Sequence, residues 1–370
     1  MGDHHAMTVL PTSLVQRLTH WLRPPAPAQL YYVSDKSQWS FYWDAHYITR
    51  HLATDAGCPA RVTCNPWKLR RQIIHFGDRY QLLDGPAEKL AASNHLFVTW
   101  FHGRQGDPAM RPYFARLRDI QPHLRGIVTT CQASVDELIR DGVDARLLHL
   151  IPLGVDLQRF TFATAEQRQR VRRALDLPHD ALLVGSFQKD GAGWGDGMEP
   201  KHVKGPDLFL EVIARLRRQV PRLAVVLTGP ARGFVKAGLQ KLRVPFVHRF
   251  VADYWELVPY YQALDLYIIA SRCEGGPKSL VECWATGVPV VSTRMGMPAD
   301  WIRQGQNGFL ADVEDIQGLA EAAARLAHDA ALRETVARQA QLDVLELDWR
   351  TVARQYYERL YQPIYHKLAA

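Results

Sequence analysis

The sequence predicts an α/β protein made of doubly wound parallel sheets, and three observations carry that prediction. Short strand-like apolar runs alternate with stretches of helical periodicity from Leu30 onward, the pattern of a parallel sheet with helices on both faces. One run, Leu223-Ala-Val-Val-Leu-Thr228, is apolar almost throughout, as a fully buried strand is. The chain has 370 residues, 47% of them hydrophobic, so it can bury a full core, and its length favours two domains over one.

The elements follow in order. Residues 1–7 carry no assignable role. Ser13 caps an expected short amphipathic helix with Leu14, Leu18, Trp21 and Leu22 on one face, stopped by Pro24-Pro25-Ala26-Pro27. Its default is packing on the first domain; with Arg17, Arg23 and Trp21 it also suits peripheral contact with a membrane surface. Residues 30–33 read as a strand, 34–38 as a turn and 39–52 as a helix; further strands are expected at 72–76, 96–100, 127–130 and 147–151. Ligands of such sheets lie beyond the carboxyl ends of the strands. That rule selects the loops 34–40, with Ser37, Gln38 and Trp39 on an acceptor side, 76–78, and His102-Gly103-Arg104. Trp39, Phe41, Tyr42 and Trp43 suit either an acceptor sugar or the core.

In the second half, a strand at 182–186 opens a long glycine-rich loop before a helix at 207–218. Strands follow at 223–228, 245–251, 266–270 and 288–292, and helices at 256–263, 315–327, 331–345 and 349–368. Arg232, in the turn after the strand 223–228, is expected to reach a phosphate. The central stretch is Ser271 to Thr293, SRCEGGPKSLVECWATGVPVVST. Its strand feeds the turn Glu274-Gly275-Gly276, and Pro277 suits a first helical position, where a missing N–H costs nothing. Free N–H groups at Lys278 and Ser279 and the positive dipole end favour an anion, and the glycines are expected to admit a ligand to the backbone. Glu274 and Glu282 then bracket a phosphate site, an arrangement that fits the diol, phosphate and diol of a nucleotide sugar.

With Ser-x-x-Glu-Gly-Gly-Pro, a helix, Ala285-Thr-Gly-Val-Pro-Val-Val291 and Asn307-Gly-Phe-Leu310 in place, the chain resembles the glycosyltransferase family 4 enzymes, whose E-x7-E motif matches Glu274 and Glu282. The resemblance implies the GT-B architecture: two Rossmann-like doubly wound domains facing across a cleft. Residues 1–160 would form the acceptor side, with a helix at 349–370 packing back on it. Residues 161–348 would bind the nucleotide sugar, and Ile151 to Asp156 with Phe160 resembles the crossing between domains. In the family the first Glu holds the donor sugar, the second the ribose, a His matching His102 stands beside the reacting sugar, and a basic pair, here Lys189 and Lys204, neutralises the diphosphate. Lys189 stands where many members carry Arg, and the insert 191–202 is longer than the pattern. Arg249, Phe250 and Val251 would lie against the nucleobase. The implied reaction moves a sugar from a UDP-sugar or GDP-sugar to a glycan, lipid-linked or small-molecule hydroxyl, with retention, a leaving-group oxygen taking the acceptor's proton.

Composition narrows the alternatives. Five cysteines without a CxxC pair indicate neither a disulfide framework nor a zinc ribbon. No apolar run approaches a membrane span and no signal peptide is recognisable, so a cytoplasmic place is expected, at most peripheral on the membrane. The net charge of +7 is interspersed with acids, and no nucleic-acid partner is expected. No Asp-x-Asp occurs, so no metal ligands are assigned, no cofactor is expected, and lysines must neutralise the diphosphate. No GxGxxG follows the first strand, which argues against an oxidoreductase. A non-catalytic scaffold of the same fold and a nucleotide-sugar epimerase or hydrolase stay open.

Overall fold

The computed structural model describes residues 29–35, 37 and 40–369. The expected amphipathic helix near the amino terminus, together with Gln38 and Trp39, lies outside the described residues.

Two six-stranded sheets, parallel throughout, organise the chain. The first comprises β1 (Leu30–Val33), β2 (Ala60–Thr63), β3 (Ile73–Phe76), β4 (His95–Thr99), β5 (Leu124–Thr129) and β6 (Leu148–Leu150), in the order β2-β1-β3-β4-β5-β6. The second comprises β7 (Leu182–Phe187), β8 (Leu223–Thr228), β9 (Phe246–Arg249), β10 (Leu266–Ile269), β11 (Val290–Thr293) and β12 (Phe309–Ala311), in the order β12-β11-β10-β7-β8-β9. Strand order reverses between β1 and β3 in one sheet and between β7 and β10 in the other, which opens a ligand crevice at each place. Two strands carry no sequence signal. Ala60-Arg-Val-Thr63 is half polar and Phe309-Leu-Ala311 is only three residues long; both are edge strands, paired on one side only.

Each sheet is buried on both faces. In the second, Val184, Val225, Leu227 and Ile268 pack under the helices Pro206–Gln219, Gly233–Lys241 and Ile316–His328. Tyr267, Ile269 and Val226 pack on the opposite side with the helix Lys278–Thr286, joined by Leu153, Val155 and Phe160 from the connecting segment. The first sheet carries the helix Ser40–Asp55 and the returning carboxyl-terminal helix on one face.

That return begins at Trp349–Tyr356, widens through a π turn at Tyr357–Tyr361 and ends in Gln362–Ala369. Pro363 explains the widening, because it offers no N–H to the carbonyl four residues back and its ring would collide there. Trp349, Val352, Tyr356, Leu360 and Tyr361 are buried against Leu30, Tyr32, Ile73 and Phe97. The two crossings between domains run side by side: Val155 N–H donates to Leu347 at 2.9 Å and Trp349 N–H to Val155 at 3.1 Å.

Candidate functional site

The site gathers at the strand reversal of the second sheet. Glu274 stands in the turn after β10, and Lys204 ends a 3-10 turn, His202–Lys204. Gly205, at φ 62°, then turns the chain into the helix Pro206–Gln219. The Lys204 ammonium lies 2.5 Å from one Glu274 oxygen, and the Ser271 hydroxyl donates to the other. Burial by itself raises the Glu274 carboxyl, but Lys204, Ser271 and His102 outweigh it and hold it below the usual range. Glu274 is therefore an ionised acceptor at neutral pH.

His102 reaches the same place from the first domain, past the end of β4. Burial, then Arg79 and Lys204, push its imidazole down to about 4 against the opposing pull of Glu274. Its ring is neutral at neutral pH, and its carbonyl accepts from Arg79 at 2.6 Å. The structure thus brings Glu274, Lys204 and His102 together from three separate stretches of sequence.

Other expected residues take different roles. Pro277 is the cap of the helix Lys278–Thr286 and not its first residue, and among the described residues no side chain caps its first N–H groups. Gly275 does not make room for a ligand: a Cβ there would collide with the Phe101 carbonyl, and one on Gly276 would press on Leu153, so the glycines serve close domain contact. The Lys278 ammonium crosses the cleft to the buried carboxylate of Asp44 and lies 5.2 Å from the Trp349 ring centroid, turned away from the turn it was expected to serve. Ser279 lies beside the Tyr267 hydroxyl. Glu282 is not open to the cleft. It is 3% exposed, and its carboxylate accepts from the hydroxyls of Tyr254 and Tyr261, the latter at 2.6 Å. Burial raises its carboxyl despite Lys278 and the two tyrosines.

Arg232 is likewise corrected. It is 1% exposed, pairs with Asp190 at 2.9 Å and donates to the carbonyls of Ser186 and Thr228, so it ties β7 to the turn after β8 and has no free face for a phosphate. Lys189 lies half-buried with its ammonium 3.5 Å from the ring centroid of Trp194. Arg249 ends β9 at the sheet's edge and Phe250 and Val251 follow it, three strands from β10, roughly 14 Å away at normal strand spacing. Phe250 is exposed, the Arg249 guanidinium donates to the His248 carbonyl at 3.3 Å, and Val251 packs on the core. Ser37 is exposed and bonds back to Asp35. Of the aromatic group, Phe41 packs against Phe101, and Trp43 packs across the domain junction on Tyr254 and Trp255, which favours the core reading.

Sequence reasoning missed Asp44, Tyr254 and Tyr261. Asp44 had one usable signal, a carboxylate directly after the aromatic run Phe41-Tyr42-Trp43; the tyrosines had none, because their role depends on Glu282 turning inward.

Comparison with known proteins bears on the fold and on the second half of the chain. Residues 200–343 match the family model described as glycosyl transferases group 1. The chain is 28% identical over 234 residues to D-inositol 3-phosphate glycosyltransferase of Corynebacterium urealyticum, covering 60% of this chain and 53% of that protein. It is 27% identical over 222 residues to the lipopolysaccharide core biosynthesis mannosyltransferase LpsB of Rhizobium meliloti, covering 55% and 58%. The alignments thus span little more than half the length of these curated relatives. In structure it is similar to Anabaena HepE in complex with UDP-glucose, at TM-score 0.71 and 17% identity over 90% of this chain and 98% of that one. Sucrose-phosphate synthase of Thermosynechococcus elongatus is similar at TM-score 0.65 and 20% identity, over 80% and 74%. The fold is GT-B.

Proposed function

We propose that this protein is a glycosyltransferase that moves a sugar from a nucleoside diphosphate sugar to an acceptor hydroxyl. The observation that carries the reading is the ionised Glu274, paired with Lys204 and faced by neutral His102, at the strand reversal where such folds hold ligands. The match to group 1 glycosyl transferases and the HepE complexes with UDP and UDP-glucose support it.

In this reading the Glu274 carboxylate accepts hydroxyls of the donor sugar and fixes its orientation. Lys204 stands between that sugar and the diphosphate, where charge grows as the anomeric bond breaks. The uncapped N–H groups at Lys278 and Ser279 add their partial positive charge. His102, being neutral, supports the sugar without competing with the leaving group for positive charge. The resemblance to family 4, carried by the whole stretch from Ser271 to Thr293 with Asn307 to Leu310, implies retention of configuration, with a leaving-group oxygen taking the acceptor's proton. Lysines and backbone donors supply the neutralisation that a divalent cation supplies elsewhere. A UDP- or GDP-sugar is the donor, and a glycan, lipid-linked or small-molecule hydroxyl the acceptor.

The test is a donor screen by thermal shift with UDP, GDP and ADP, followed by transfer assays with the matching sugar in the presence and absence of a chelator. Transfer should survive chelation, keep the anomeric configuration by proton NMR, and fall about 10²- to 10³-fold in Glu274→Gln. Donor consumed equally fast without any acceptor would identify a hydrolase or epimerase instead, and full transfer by Glu274→Gln would overturn the assignment.

A further inference from the structure

The loop between β7 and the helix Pro206–Gln219 is folded. Its insert doubles back as a short antiparallel bridge, Gly191 opposite Pro200, with Ala192 N–H on Glu199 and Lys201 N–H on Asp190, both at 2.8 Å. Its far side caps another element: the carbonyls of Asp196 and Gly197 accept the first N–H groups of the helix Gly233–Lys241, from Gly233 at 2.7 Å and Phe234 at 2.9 Å. Gly197, at φ 72°, lies so close to the Ala231 backbone that no side chain would fit. The insert is pinned at its base by a bridge and along its length by a helix end.

This folding delivers a third cation to the site. Lys201 is hydrogen-bonded through its backbone to Asp190, the neighbour of Lys189, and its own carbonyl accepts the Lys204 N–H at 2.8 Å. Lys189, Lys201 and Lys204 are each half-buried, and the first and last are near enough to disfavour the charge on Lys201. Among the described residues only one of them, Lys204, has an acidic partner, Glu274; the nearby Asp190 is taken by Arg232. Lys189 is instead held over Trp194, on the tip of the same insert, where the ring face favours a cation. Like charges gathered without counter-charge are unfavourable until an anion arrives, and a nucleoside diphosphate brings about three negative charges.

We propose that Lys201 is a third diphosphate-binding residue, brought by the insert 191–202 into the space between Lys189 and Lys204 to match the charge of the departing nucleoside diphosphate. This rests on the proposed donor site. Burial, then Lys189 and Lys204, lower the Lys201 ammonium below its ordinary range in the free protein. The groups facing it are Lys189 and Lys204, with Glu274 and Asp190 already paired and His102 neutral, so anion binding raises its affinity for protons and draws one in at alkaline pH.

The experiment is titration calorimetry with UDP, GDP and ADP on the full chain, repeated in buffers of different ionisation enthalpy. The nucleotide that binds the unmodified protein should bind Lys201→Gln about tenfold more weakly and Lys201→Arg nearly as well, in line with one charge-assisted hydrogen bond. Proton uptake on binding at alkaline pH should be greater in the unmodified protein than in Lys201→Arg, whose side chain does not titrate there. If the unmodified protein binds no nucleoside diphosphate, the donor-site reading fails and this inference with it. If it binds one but Lys201→Gln binds as tightly, or Lys201→Arg takes up as many protons as the unmodified protein, only the role of Lys201 is overturned.

Discussion

Two glutamates eight residues apart have opposite fates. Glu274 is drawn towards the cleft by Lys204 and Ser271 and stays ionised, whereas Glu282 points into the protein and serves two tyrosine hydroxyls. Deleting the second acid is therefore a structural lesion first. Glu282→Ala leaves both hydroxyls buried without an acceptor and should cost about 2–4 kcal/mol of stability, read from urea unfolding, while Glu282→Gln keeps one acceptor and should cost less. Equal stability of Glu282→Ala and the unmodified protein would show that the tyrosines do not depend on this carboxylate.

At the level of elements, the turn 274–276 does two jobs that the motif alone does not separate. Its glutamate faces the site, and its glycines let the turn seat against Phe101 of the first domain and Leu153 of the connecting segment. Gly275→Ala forces the domains apart or shifts the turn, a cost of about 1–3 kcal/mol to the seated arrangement. Transfer should slow about tenfold to a hundredfold, with a larger radius of gyration by small-angle scattering. Undiminished transfer at an unchanged radius would show that the contact does not matter. The buried Asp44–Lys278 pair spans the same junction, so the helix that starts the anion site is also tied to the opposite domain.

For the whole molecule, the carboxyl-terminal return joins the last residues to the first sheet through a buried histidine. His75 bonds Thr99 at 2.8 Å and Tyr361 at 2.6 Å and stacks on Tyr32. Burial lowers its imidazole from 6.5 to about 3. Because the folded value lies below the unfolded one, the unfolded chain takes the proton first as the pH falls. This contribution is intact above about 6.5 and is lost progressively towards about 3. Between about pH 7.5 and about pH 5 the loss is about 2 kcal/mol. In His75→Gln that part of the pH dependence should vanish, although the variant starts from a lower stability. Denaturant midpoints at the two pH values measure it, and an unchanged slope would mean that other groups carry the acid sensitivity. No helix among the described residues is long and apolar enough to cross a membrane.

The sequence by itself determined the α/β class, the alternation of strands and helices, the Glu274 turn and the arrival of His102, because buried strands and helix starts are written in local composition. It left β2 and β12 unread, since a short edge strand needs no long apolar run. It also could not say which way a side chain turns. Arg232, Lys278 and Glu282 carry the charges a phosphate or ribose site calls for, yet each is drawn to a partner far away in sequence: Asp190, Asp44 and two tyrosines. Only the tertiary structure decided those directions, because a buried charge must be paired and the available partner is set by how the two sheets and their connecting segments come together.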